Sequence, residues 1–321
     1  MKKTAGLIFA LAACCGMFAQ AQQFTPPQTK NAALRYWAAF AEMKDRSIDE
    51  ATNKLMEDVL NGSAGWDEQR LGPIVEENAY AVEAMQRATT LHECNWGLDY
   101  SLGAAMPLAH LPKARVLARL NALYGARQMA RGDAEGAVKT WLTGLQFAQD
   151  ISKGVGLIAA FSAQPAFMAN LRLLTTAVKS GRVNTQLENR VRTVIHHLPP
   201  DGLPWVQSIR FEAWANEEGL EYLAKAPDFP ALYKDWFGSI PPQSAKPPSA
   251  SEITAFRELM NEVTAAFQLP PVQTRERLTT IVARLKTMNP AVQAVFPNYQ
   301  RLNDNRENMV SQKEDLLKAL K

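Results

Sequence analysis

Cys94 is the residue in this chain best suited to nucleophilic chemistry, lying two positions after His92 in the run His92-Glu93-Cys94-Asn95-Trp96-Gly97. A cysteine attacks as its thiolate, which needs a neighbouring base or a positive field. At that spacing the pair need not face each other, and no third group to orient the histidine is identifiable. A small buried side chain beside Trp96 is the favoured reading. His92, Cys94, Asp99 and His110 are the set that would have to share a metal. Their spacing fits no zinc pattern, and both the paired-cysteine knuckle and the haem signature Cys-x-x-Cys-His are missing. No metal and no cofactor is expected.

Paired carboxylates offer a second chemistry, because two of them can serve as acid and base on a glycosidic bond. Glu212, Glu217, Glu218 and Glu221 cluster, and Glu217 and Glu221 are four apart, on one helical face. Glu76-Glu77 is a smaller acidic pair. Solvated helix faces are the competing explanation for all of these. Glu-x-x-His is absent, which argues against a di-metal bundle. There is also no Walker loop, Gly-x-Ser-x-Gly elbow or dinucleotide fingerprint. Of the seven tryptophans, Trp66 and Trp236 are flanked by loop residues and Trp96 adjoins Cys94. Trp66, Trp96, Trp236, Glu217 and Glu221 are therefore the binding-site candidates, and no residue is assigned a catalytic role. His196-His197 is expected to close a helix, where positive charge suits the negative end of the dipole.

The N-terminus reads as an export signal. Lys2 and Lys3 precede a short apolar core at 5–13, and Ala19-Gln20-Ala21 offers an ordinary cleavage site. Leu11-Ala12-Ala13-Cys14 is a competing lipobox, in which Cys14 would carry a lipid anchor. Loss of Lys2 and Lys3 takes the formal charge from +3 to +1, which leaves no electrostatic case for nucleic acid. Cys14 and Cys15 lie inside the signal, so Cys94 would remain without a disulfide partner. The run at 154–169 is interrupted by Ser162, Gln164 and Pro165 and reads as a buried helix rather than a transmembrane span.

These residues must be positioned by helices, since β-branched alternation is nearly absent. The organising stretch is 112–151. Val116, Leu120, Leu123 and Tyr124 recur at helical spacing in its first half; Val138, Trp141, Leu142, Leu145 and Ala148 do so in its second. Gly132 can end one helix and Asp133 can cap the next, giving an antiparallel hairpin. Arg115, Arg119, Arg127 and Arg131 are expected on its wet side. Other helices are expected at 32–43, from a capped start at 47–50 to Leu60, at 73–88, at about 104–110, at 155–179 with a kink or split at Pro165, at 186–198 and at 205–223. The segment 239–251 has four prolines among its thirteen residues and reads as an extended linker. The organisation is thus 1–21 signal peptide, 22–238 main α-helical domain, 239–251 linker and 252–321 C-terminal helical segment. The last helix, polar around 303–307, is expected to be partly solvated or frayed.

The hairpin resembles a tetratricopeptide unit. Gly125, Gly132-Asp133, Ala137, Trp141 and Gly144 fall at that motif's small, turn and aromatic positions, while Asn121 and Gln128 stand where bulky residues are usual and Gln149 where the closing proline falls. There is no second copy at the repeat period. The stretch from Cys94 to Phe167 is also similar to an uncharacterised family of exported bacterial α-helical proteins. In that family a Cys-Asp/Asn-Trp-Gly element precedes a hairpin with a Gly-Asp turn and then an apolar helix. The resemblance implies a fold and no activity.

The expectation is an all-α protein, an irregular, repeat-like array of helical hairpins with a short C-terminal appendage. It is exported to the periplasm or cell envelope and binds a protein or peptide through a concave helical face without catalysis. The alternative is an envelope hydrolase of peptidoglycan or polysaccharide using a glutamate pair. A third reading is a small-ligand carrier with an apolar cavity at 155–174.

Overall fold

Gly132 takes the left-handed conformation at φ +85°, and Asp133 accepts a hydrogen bond from the Gly136 N–H at 2.8 Å. These two residues reverse the chain between two long helices, as the sequence predicts. In the computed structural model, residues 29–44, 47–100, 102, 106–154 and 156–320 are described. The signal peptide, its cleavage site and Cys14 lie outside them.

Among the described residues the fold is all-α, with a single isolated bridge between Asn31 and Glu93. Helices α1 (Ala32–Glu42), α2 (Glu50–Leu60), α3 (Glu68–Glu77) and α4 (Ala79–Ala88) precede the hairpin of α5 (His110–Ala130) and α6 (Ala134–Ser152). Then come α7 (Gly156–Lys179), α8 (Thr185–His197), α9 (Trp205–Ala224) and α10 (Phe229–Phe237). After the proline-rich segment follow α11 (Ala250–Ala266), α12 (Pro271–Leu285), the short α13 (Pro290–Ala294) and α14 (Tyr299–Ala319).

The hairpin packs through glycine. A Cβ built on Gly125 would come within 2.8 Å of Trp141 Cδ1, so only a bare backbone lets α5 lie against the indole. Asn121 and Gln128, which depart from the repeat motif, have a structural use. Asn121 is fully buried; its amide donates to the Thr140 carbonyl at 3.0 Å and accepts from Gln86 at 3.1 Å. Thr140 Oγ1 donates to Gln128 Oε1 at 2.7 Å. A satisfied polar ladder of this kind fixes one register between α5 and α6, because any slip would strand buried donors.

α7 is the helix on which the rest converge. It packs on α6 most extensively and also on α14, α9, α5 and α2. It is long and apolar enough to cross a membrane by length and composition, yet 67 % of its most apolar window is buried within the fold. It runs unbroken through Pro165, against the expected split. Pro165 is exposed, so water can reach the carbonyl that its missing N–H leaves free.

Several other expectations are corrected. The helix read at 73–88 begins at Glu68 and is broken at Asn78, whose side chain accepts from the Lys44 N–H at 2.9 Å and donates to the Ile74 carbonyl at 3.0 Å. Residues 106–108 are not helical. Val116, expected in the core, is exposed, whereas Arg127, expected in water, is buried. Arg127 binds Glu68 at 2.7 Å and Glu76 at 2.5 Å and so staples α3 onto α5. α10 was not expected; Asp228 caps it by accepting from the Ala231 N–H at 3.0 Å.

Residues 238–249 are non-helical and largely exposed, with Pro248 buried. The helices beyond them belong to the same compact unit, Asn31–Lys321, as the hairpin. α11 packs on α9, and α14 packs on α7 and α12. α14 is partly solvated as expected, with Asp304 and Asn308 exposed, but it is not frayed: Asn303 and Arg306, in its polar run, are buried. Arg306 donates to Thr274 Oγ1 at 3.0 Å and to the Leu269 carbonyl at 2.6 Å, and pairs with Asp201 at 2.8 Å.

Candidate functional site

The Cys94–Gly97 element serves the end of α6. Carbonyls in the last turn of a helix have no partner within it, and the Asp150 carbonyl is one of these. It accepts from Trp96 Nε1 at 2.9 Å and from Cys94 Sγ at 3.8 Å. The Asp150 carboxylate, itself buried, accepts from the Tyr36 hydroxyl at 2.6 Å and from Lys153 at 2.7 Å. Asn31 clamps the Asn95 backbone, accepting from its N–H and donating to its carbonyl, both at 2.8 Å. Trp96 is buried and stacks on His110, ring centroids 4.4 Å apart, with Tyr36 at 5.6 Å.

This arrangement is poorly suited to nucleophilic chemistry. Burial, reinforced by the Asp150 carboxylate, pushes the Cys94 thiol up to about 12, so it is protonated at neutral pH. Burial followed by Asp150 raises Tyr36 as well. His92 is exposed while Cys94 is half-buried. His110 is fully buried, has no hydrogen-bond partner on either ring nitrogen, and is held down to about 4 by desolvation. Among the described residues no three His, Cys, Asp or Glu side chains gather where a metal could be held.

The carboxylate candidates are ion-paired. Arg257 Nε donates to Glu217 at 2.9 Å, and Lys225 donates to Glu221 at 3.4 Å. Glu212, half-buried with its carboxyl raised by desolvation, accepts from the Leu157 N–H at 3.3 Å and so caps α7 from α9. The tryptophans do not converge. Trp66, half-buried in the α2–α3 connection, donates to Glu68 at 2.7 Å and walls a cleft of about 360 Å³. Trp236 is exposed on α10, its ring nearly parallel to that of Tyr222 at 5.8 Å. It reaches over Gly219, between Glu217 and Glu221 on α9, and so shares a surface with them.

The feature that the sequence reading missed is the uncovered face of α7. Ile158, Phe161 and Pro165, spaced to share one side of the helix, are exposed on a helix whose apolar residues are mostly buried. On one side a cleft of about 500 Å³ is lined by Pro112, Val116 and Arg119 of α5, Glu57 of α2 and Pro165 of α7. On the other a cleft of about 690 Å³ is lined by Phe161, Met168 and Arg172 of α7 and Arg301 of α14. Pro165 lines both, and the two clefts with the exposed strip between them make up the α7 groove. Among the described residues, four arginines line it (Arg115, Arg119, Arg172 and Arg301) against a single carboxylate, Glu57. The only sequence signal was Pro165, a residue that suits a solvent-facing side of a helix.

Comparison with protein-family models, with curated proteins and with solved structures finds no match for this chain.

Proposed function

We propose that this protein is an exported, non-enzymatic scaffold that binds a peptide segment of a partner protein in the groove along α7. The observation that carries the reading is the exposed apolar strip Ile158–Phe161–Pro165 on the helix against which α2, α5 and α14 all pack. Contiguous exposed apolar residues rimmed by polar ones mark interaction surfaces. Helices laid side by side build the extended grooves in which peptides lie. The arginine excess favours a segment that is apolar with acidic residues, by charge complementarity. The alternative of an envelope hydrolase gains no support from Glu217 and Glu221, each of which is held in an ion pair.

Panning a displayed random-peptide library against the purified protein tests the reading, with Ile158→Asp/Phe161→Ala as the counter-target. Both positions face solvent, so the variant is expected to fold. Sequences enriched on the wild type should bind the variant roughly tenfold more weakly, the loss typical of removing a small hot spot. Identical enriched pools would overturn the reading. Export is tested by the mass of the mature N-terminus, expected at Gln22, with a lipid-modified Cys14 as the competing outcome.

A further inference from the structure

We infer that the α7–α14 side of the groove is a carboxylate subsite, in which Arg172 receives an acidic residue of the bound peptide that is flanked by apolar ones. This rests on the groove being a peptide site and specifies what one side of it recognises.

Arg172 is half-buried on α7, two turns beyond Pro165, and lines the larger cleft. Its Nε is buried and has no hydrogen-bond partner. No carboxylate lies within ion-pair distance of it among the described residues. A guanidinium carries five N–H donors in a rigid fork, and a charge withdrawn from water without a counter-charge is costly. Desolvation with no opposing carboxylate lowers its proton affinity, as expected for a cation left without its partner.

Among the described residues the cleft around Arg172 has no acid of its own. Its polar wall is Gln164 together with Asn298, Arg301, Asn305 and Asn308, the last three spaced along one side of α14. Arg301 sits in the first turn of this helix and Asn298 caps it, so the positive end of the α14 dipole adds to both arginines. The floor is apolar: Leu157, Phe161 and Met168. A free inorganic anion would gain nothing from that floor. A carboxylate carried next to a leucine or phenylalanine side chain would meet the arginine fork and the apolar surface together.

The test extends the same panning to Arg172→Gln. The wild-type pool is expected to be rich in Asp or Glu beside Leu or Phe. The Arg172→Gln pool should keep the apolar residues and lose the acidic bias. A peptide taken from the wild-type pool should bind Arg172→Gln roughly tenfold more weakly, whereas its Glu-to-Gln counterpart should bind both proteins alike, as in a double-mutant cycle. A wild-type pool without acidic bias, or a bias that survives Arg172→Gln, would overturn the subsite while leaving the groove intact. Identical pools on the wild type and on Ile158→Asp/Phe161→Ala would overturn both. Thermal unfolding supplies a second readout. An arginine awaiting a ligand contributes no pairing to the free fold, so the Tm of Arg172→Gln should equal or exceed that of the wild type. A clear fall in Tm would show that Arg172 holds the fold together and would overturn the inference.

Discussion

Gly125 lies directly against the Trp141 indole, so closely that the smallest side chain at position 125 would overlap the ring. Trp141 is buried, and its Nε1 donates to the Ala122 carbonyl at 3.1 Å, one turn before Gly125. The indole therefore fills the space that glycine leaves open. Trp141→Ala should cost about 3–5 kcal/mol by the large-to-small rule, and Gly125→Ala about 1–3 kcal/mol by overpacking. Urea unfolding of the two single variants and the double variant measures both. The double variant should be less destabilised than the sum, since the new methyl enters a cavity already present. Near-wild-type stability of Trp141→Ala would remove the hairpin from its place as the packing centre.

Tyr36 and Asp150 tie α1 to α6 through a 2.6 Å hydrogen bond in the core. Tyr36→Phe removes that donor from a buried carboxylate, leaving Lys153 at 2.7 Å and Gln146 at 3.3 Å. The expected loss is about 1–3 kcal/mol, the range for a buried group deprived of a charged-partner hydrogen bond. Asp150→Asn keeps the shape but loses the charge that Lys153 answers. Chemical denaturation of the two variants is the check, and a stabilised Tyr36→Phe would show that the pair is strained.

What the sequence revealed were the local features. The Gly132-Asp133 turn, the buried Trp141 and the capped helix start within 47–50 depend on residues within one or two turns of each other. The exchange of Val116 for Arg127 at the surface was not legible. α5 carries apolar residues nearly all round, so periodicity does not choose its wet side; that choice falls to Glu68 and Glu76, more than fifty residues away. The groove along α7 was hidden for the same reason. A helix apolar on every side declares itself buried, and which strip stays open depends on where α2, α5 and α14 stop. Trp96 was singled out from its neighbours, but its partner, the Asp150 carbonyl, is a backbone atom 54 positions on. No side-chain pattern marks such an atom.

The C-terminal helices are expected to be required for folding of the rest. α14 covers α7 and α11 covers α9, and Arg306 reaches back to Asp201 between α8 and α9. A chain ending at residue 238 would expose those apolar faces and should lose cooperative unfolding or aggregate. Arg306→Ala in the full chain should cost about 3–5 kcal/mol, because it leaves buried acceptors and a carboxylate unanswered. A truncated chain with an unchanged thermal transition would contradict this and would make 252–321 an independent appendage.

Acid should weaken the fold in two separable steps. Burial holds the His110 imidazole down to about 4, below its ordinary 6.5. The unfolded chain thus takes up a proton that the folded chain refuses. Stability from this group is complete above about pH 6.5 and falls as pH drops toward about 4, by about 2–3 kcal/mol at one pKa unit per 1.4 kcal/mol. Glu68 acts lower. Its hydrogen bonds from Arg127, and then from Trp66, hold it to about 2 against an ordinary 4.5. Its contribution is present above about 4.5 and is lost as pH falls toward 2, and the exposure of its carboxylate to solvent keeps it smaller than that of His110. His110→Phe, which preserves the stack on Trp96, should flatten the stability profile between pH 6.5 and 4 and leave the lower limb alone. Arg127→Met should do the reverse. Denaturant midpoints measured across pH for the two variants decide the assignment. A His110→Phe profile that still falls between pH 6.5 and 4 would mean that another group carries the first step.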